Sequence, residues 1–151
     1  MSTPTTRSAV DVAQESLRLL LAKDMTGYTA LWAEDGVFEV PFAAPGQPSR
    51  IQGRAALRAH LSGYTDLLDV REITDVVLHE GADRDRVVME FQAGGVVVAT
   101  RRPYRMAYIA VIRTRDGAIE SYRDYWSPSA AADVLADVDT SQAAFAPEVT
   151  R

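Results

Sequence analysis

The stretch Tyr104–Trp126, YRMAYIAVIRTRDGAIESYRDYW, holds two runs of β-branched and aromatic residues separated by Arg115-Asp116-Gly117. Runs of this composition on either side of a turn signal read as paired strands, and strands joined by a short turn are antiparallel. Side chains alternate between faces along a strand. Tyr104, Met106, Tyr108, Ala110 and Ile112 then share one face of the first run. Glu120, Tyr122, Asp124 and Trp126 share one face of the second, and Ile119, Ser121, Arg123 and Tyr125 the other. Arg123 and Asp124 are neighbours in sequence but point oppositely, so they form no local ion pair.

Two more strand-like runs precede this pair, Val70–Glu80 and Asp85–Ala99, bounded by turn signals at Gly81–Asp85 and Thr100–Pro103. Upstream, Ser8 is placed to cap a helix over Ala9–Lys23 with Val12, Leu19 and Leu20 on one stripe. Asp24 caps a second helix, Met25–Glu34, with Tyr28, Leu31 and Trp32 at helical spacing. Val37–Phe42 alternates as a strand with Phe38, Val40 and Phe42 on one face, and Pro41 marks an edge or an end. A Pro- and Gly-rich loop leads to a third helix, Arg54–Leu68, where Leu57, Leu61, Tyr64 and Leu68 line one face beside His60. A short last helix starts at Ser127-Pro128. Helices first, then a meander of long strands, predict an α+β roll: a strongly curved antiparallel sheet of five strands wrapped around three helices, with a pocket inside. Gly94-Gly95 predicts a bulge or bend rather than a phosphate loop, because no helix follows.

The chain of 151 residues suits one domain with a real core, and 47% apolar and 25% charged residues are ordinary globular usage. A net charge of −5 argues against nucleic-acid binding. No cysteine is present, only His60 and His79 could supply imidazole, and Lys23 is the sole lysine. These counts argue against zinc, thiolate and Schiff-base chemistry and leave no metal or cofactor expected. With no apolar leader and no run long enough to span a bilayer, the expectation is a cytoplasmic protein without membrane contact. Residues 1–8 are expected to be flexible, 9–137 to form the domain, and 138–151 to be a loose tail pinned by Phe145.

Turned inward, Asp124 would be a carboxyl between the Tyr122 and Trp126 rings, where desolvation raises its pKa and makes it a useful acid or base. The bland alternative is a buried Asp satisfied by backbone or hydroxyl donors. The opposite facing, with Arg123 inward, fits less well, because Ile119, Arg123 and Tyr125 suit a surface that meets a partner. The Tyr104–Thr114 run is apolar on both faces, so its sheet needs two coverings. Helices supply one, and a homodimer through the sheet would supply the other.

With LWAEDGVFEVPFA, GRAALRAHL and GAIESYRDYWSP in place, the chain resembles the SnoaL-like branch of the nuclear transport factor 2-like superfamily over roughly Val10–Leu135. Within that branch YTDLLDVREI, DRVVMEFQAGG and PYRMAYIAVIR are most similar to phenazine-biosynthesis A/B-type proteins. The resemblance implies a cone-shaped barrel, a dimer, a deep apolar cavity, and acid–base chemistry without metal or cofactor, as in polyketide cyclases, isomerases, epoxide hydrolases and dehydratases. It implies a catalytic acid at Asp124 and a histidine on the helix that carries His60. The epoxide-hydrolase pattern, an Arg two residues before an Asp, is broken here because Arg123 directly precedes Asp124. Met106 and Ala110 stand where the phenazine-type strand is polar, which implies a more apolar substrate.

Candidate ligand contacts are Tyr28, Trp32, Phe42, Tyr64, Phe91, Tyr104, Tyr108, Tyr122 and Trp126, against the alternative that aromatics merely fill the core. Arg101 and Arg102 could clamp an acidic group at the mouth, though a solvated turn explains them more simply. Three functions follow. The first is a cofactor-free acid–base enzyme of cyclase, isomerase or condensation type, acting through Asp124 and His60 on a small apolar molecule, extending to polycyclic ones. The second is a non-catalytic binder of a hydrophobic ligand. The third is a dimerisation module with a filled core. A cavity of a few hundred cubic ångströms would exclude the third.

Overall fold

Ser8 opens helix α1 (Ala9–Leu21) with a capping box: Asp11 N–H donates to its hydroxyl at 3.2 Å, and Ser8 N–H donates to the Asp11 carboxylate at 3.0 Å. The helix buries Val12, Ala13, Ser16, Leu19 and Leu20, the stripe its spacing dictates. Asp24 accepts from Gly27 N–H at 2.8 Å and caps α2 (Met25–Thr29). The computed structural model describes residues 6–138. Residues 1–5 and 139–151, with most of both expected tails and Phe145, lie outside the described residues.

The second helix is shorter than its spacing predicts, because strand β1 (Trp32–Glu39) begins where the helix was expected to continue. Trp32 pairs with Ile119 in a parallel ladder, and that tertiary pairing overrides the local helical pattern. Gly36 allows the approach: a Cβ there would lie 2.6 Å from the Ile119 carbonyl oxygen. A short strand β2 (Arg50–Gln52) lies in the segment read as loop and pairs antiparallel with β1. The long helix expected over Arg54–Leu68 is broken at Ser62-Gly63 into α3 (Arg54–Leu61) and α4 (Tyr64–Leu67).

Strands β3 (Leu68–Glu80), β4 (Arg86–Val97), β5 (Pro103–Arg115) and β6 (Ala118–Tyr125) form the meander. Ser127 then caps α5 (Pro128–Val134), with Pro at the first helical turn. The sheet is open, in the order β2-β1-β6-β5-β4-β3, and antiparallel except for β1 against β6. The α+β class stands, with six strands where five were expected. Curvature has a local cause at Gly94-Gly95: Val70 pairs with Gly95 and Glu72 with Gly94, leaving Arg71 as an extra residue.

A second irregularity corrects the facing of β6. Arg113 pairs with Ser121 but Thr114 pairs with Ile119, so Glu120 is extra. Ile119 and Tyr122 therefore both point inward and are buried, while Glu120 turns out to meet Arg113 at 3.4 Å and Arg115 at 3.2 Å. Past the bulge the expected alternation holds: Tyr122 is buried and Arg123 exposed.

Two apolar clusters fill the concave side. The larger joins α1, α2 and α3 to the sheet through residues such as Val12, Trp32, Leu57, Met89 and Tyr122. The smaller gathers Leu67, Leu68, Val97, Tyr104 and Met106 with Ala131 and Leu135. Tyr64, Tyr108 and Trp126 pack against both. Among the described residues no helix is long and apolar enough to cross a membrane.

Candidate functional site

Where the two clusters meet, they leave a cavity of about 110 Å³. The sheet supplies one wall, with Phe91 from β4, Tyr108 from β5, and Tyr122 and Asp124 from β6. His60 from α3 and Tyr64 from α4 face it, and Ala43, Gln47 and Pro48 close one side. Trp126 and the α5 residues Pro128 and Ala131 close the other. The volume is smaller than the few hundred cubic ångströms expected, and close to what a single small ring requires.

Asp124 reaches this wall because the β6 alternation resumes after the Glu120 bulge. Its cross-strand partner is Ala110, which is fully buried and offers no polar group. The Oδ1 atom is buried and has no hydrogen-bond partner among the described residues. The residue as a whole is only partly buried, since it borders the cavity, but the carboxyl's own surroundings decide its chemistry. Desolvation pushes its pKa up to about 8. No compensating cation is near: Arg123 points away, and among the described residues no arginine or lysine lines the cavity.

Four phenols share the cavity with Asp124: Tyr28, Tyr64, Tyr108 and Tyr122. Burial is the leading cause that pushes each upward, and the Asp124 charge adds to it. All four stay protonated near neutral pH and act as donors. The Tyr28 and Tyr122 phenols hydrogen-bond to each other. Tyr108 donates to the Met106 sulfur at 3.7 Å; its ring stacks on Phe91 at 5.1 Å and meets Trp126 edge-on at 6.2 Å. His60 is half-buried, and desolvation lowers its pKa, which favours neutral imidazole. His60 and Asp124 border the same cavity, yet no hydrogen bond joins them.

Of the expected ligand contacts, Tyr28, Tyr64 and Phe91 border the cavity, as do Tyr108, Tyr122 and Trp126. Trp32 does not: it is wholly buried behind Tyr122, its ring 5.3 Å away. Phe42 lies beyond the end of β1, so strand alternation no longer governs it. It is 56% exposed, and its ring meets Tyr125 at 5.4 Å. Tyr104 belongs to the smaller cluster, where burial first and the Asp69 charge second push its phenol up to about 12. Arg101 and Arg102 do not border the cavity, and Arg102 pairs with Asp137 at 3.1 Å. The loop residues Ala43, Ala44 and Gln47, and Ala131 and Leu135 at the last helix, line the site without having been expected to. A loop carries no periodicity to mark its inward side, and small residues in a short helix give no chemical signal.

Comparison with known proteins agrees with this architecture. Residues 13–122 match the SnoaL-like domain. YesE of Bacillus subtilis is 42% identical over 120 residues, covering 80% of this chain and 82% of that protein. A PhzA/B-like protein of Pseudomonas aeruginosa, PA3332, is 38% identical over 134 residues, covering 89% and 94%. The crystal structure of a Bacillus subtilis protein provisionally named an isomerase superposes with a TM-score of 0.80 at 39% identity, covering 84% of this chain and 91% of that one.

Proposed function

This chain belongs to the SnoaL-like family, and from that premise we propose that it is a cofactor-free acid–base enzyme of the cyclase or isomerase type, with Asp124 moving the proton. The carrying observation is the Asp124 carboxyl at the cavity wall with Oδ1 buried and unpartnered. A carboxyl held near pH 8 is present in both forms around neutrality, so one group can remove a proton from carbon and return it elsewhere. The cavity's apolar walls suit a small apolar substrate and keep water from competing for that proton. His60 or a phenol would donate a hydrogen bond to the oxygen on which charge develops. The provisional name of the Bacillus subtilis relative is in keeping with this reading.

A second reading, a non-catalytic carrier of a hydrophobic ligand, is favoured by one observation: His60 and Asp124 form no preassembled pair. Exchange of α-protons for deuterium in a panel of small cyclic ketones, followed by NMR, separates the two. The enzyme reading requires exchange in the native protein and a loss of roughly 10²-fold or more in Asp124→Asn. Undiminished exchange in that variant would remove Asp124 from the chemistry. Ligand binding without exchange would establish the carrier.

A further inference from the structure

Asp124 is an acid in a cavity with no cation of its own. Its Oδ1 is buried and unpartnered, Ala110 opposite it offers no donor, and among the described residues neither arginine nor lysine borders the space. The other titratable walls are His60 from α3, Tyr28 from α2, Tyr64 from α4, Tyr108 from β5 and Tyr122 from β6. All four phenols feel the Asp124 charge, so their rings stand around the carboxyl. Phe91 and Trp126 bring two more rings to the wall. An aromatic ring presents a negative face, so carboxylate and rings together favour positive charge between them.

The classes of occupant fare differently there. An organic anion would meet the carboxylate with nothing to neutralise either charge. A primary ammonium is strongly hydrated and would exchange water on three N–H donors for a single carboxylate. A hard metal ion needs several oxygen ligands, and among the described residues no cluster of three His, Asp or Glu could hold one. A neutral molecule leaves the ionised carboxyl unanswered. A nitrogen carrying small alkyl groups has a spread charge inside an apolar outline, which ring faces and apolar walls both accept. The volume of about 110 Å³ is on the scale of one such ion, since an apolar cavity of about 150 Å³ takes a benzene ring.

We infer that the cavity takes a small alkylated monocation, an organic ammonium or iminium, which pairs with the Asp124 carboxylate and rests on the surrounding rings. The inference deepens the acid–base reading and rests on it only for the location of the site. Asp124 meets this ligand ionised, which is the proton-accepting form that reading requires. The ligand's alkyl surface is the apolar outline that reading gives the substrate. Burial, which holds the carboxyl near pH 8, adds a signature: Asp124 must release its proton for the ion to bind.

The test uses three probes of similar outline: tetramethylammonium, its uncharged isostere tert-butanol, and the anion pivalate. Binding to the full chain is followed by NMR. The inference expects tetramethylammonium to bind at pH 9 at least about tenfold more tightly than tert-butanol, and pivalate not to bind. The probe's own charge does not titrate. Its affinity should therefore rise roughly tenfold from pH 7 to pH 9, as the ionised fraction of Asp124 grows, and then level off. Burial keeps His60 neutral and the four phenols protonated across that range, so they add no such slope. Asp124→Asn should abolish both the preference and the pH dependence, while retained tert-butanol binding shows that the cavity persists. The inference is overturned if tert-butanol binds as tightly as the cation, if pivalate binds, if the cation's affinity is flat with pH or untouched by Asp124→Asn, or if no probe binds. Catalysis is read separately. If deuterium exchange does not depend on Asp124 while the cation preference persists, the acid–base reading fails and this inference stands; the opposite pair of results removes this inference alone.

Discussion

Asp124 on β6 stands directly across from Ala110 on β5, and this pairing puts no polar side chain opposite the carboxyl, whose Oδ1 is buried and unpartnered. Opposed residues have Cβ atoms roughly 4.5–5.5 Å apart, within reach of a hydrogen bond had either side chain supplied a hydroxyl. Ala110→Ser adds that hydroxyl with little change in volume. A hydroxyl donating to the ionised form stabilises it. The Asp124 pKa should then fall from about 8 by roughly one pH unit, read from the carboxyl carbon shift in an NMR titration. An unmoved pKa would mean that the two side chains do not face each other.

The same carboxyl should limit stability at neutral pH. Burial raises its pKa from 3.8 to about 8, so between those values the folded chain holds a proton that the unfolded chain has released. Stability attributable to this group is complete below the unfolded pKa and drains away as pH rises through the folded one, by about 1.4 kcal/mol per pH unit over that window. Asp124→Asn has no such proton to lose. Its stability should match the native chain near pH 4 and exceed it at pH 7 by a few kcal/mol, with roughly 4 kcal/mol as the ceiling because the residue is partly exposed. Urea denaturation at a series of pH values measures the gap, and a gap that does not grow with pH would contradict the burial of the carboxyl.

Much of this was legible in the sequence because alternation is a strong signal where it runs unbroken. Tyr104, Met106, Tyr108, Ala110 and Ile112 all turn inward along β5, as period two requires. Glu120 shows where that reasoning stops: one extra residue flips Ile119 to the buried face, and no local sequence signal distinguishes a bulge there. Trp32 had helical spacing with Tyr28, yet a parallel partner 87 positions away in sequence claims it for β1 (Trp32 pairs with Ile119). That partnership is a long-range fact that no short window contains. Phe42 was placed by extending alternation past Pro41, beyond the last residue of the strand. The cavity's aromatic wall was readable from the strands, whereas its loop and helix sides were not, because small residues carry no facing signal.

Gly95 tests the bend. A Cβ built on it would lie 1.9 Å from the Asp69 carbonyl oxygen and 3.0 Å from the Arg71 nitrogen, both backbone atoms that cannot step aside cheaply. Gly95→Ala must therefore undo the Arg71 bulge or separate β3 from β4. The expected cost is about 2 kcal/mol or more in chemical denaturation, at the upper end for a single methyl. Gly63→Ala is the matched control, since a Cβ there meets nothing within 4 Å, and it should leave stability within roughly 0.5 kcal/mol of the native value.

The outer face of the sheet carries the last prediction. Val77, Glu90, Ile109 and Tyr125 stand in register across four strands, and Phe42 packs on Tyr125 at one end. Val77 is 46% and Ile109 43% exposed, so the apolar members of this row have no cover among the described residues. The next row holds His79, Val88, Val111 and Arg123. His79 meets Glu90 at 2.6 Å, and Arg123 has no ion-pair partner among the described residues. An apolar strip with an acid and an unpaired guanidinium on one face is self-complementary under a two-fold rotation, which brings unlike charges of the two copies toward each other. We propose that a second copy of the chain covers this face. Sedimentation should find a dimer at micromolar concentration, and Ile109→Glu should convert it to a monomer with unchanged circular dichroism, because the new carboxylate would be buried against its own symmetry mate. Arg123→Ala should loosen the dimer less, and that loosening should fade at high salt, where the charge contribution is screened. A native chain that sediments as a monomer throughout that range would leave the sheet's outer face open to water, and the proposed dimer would be lost with it.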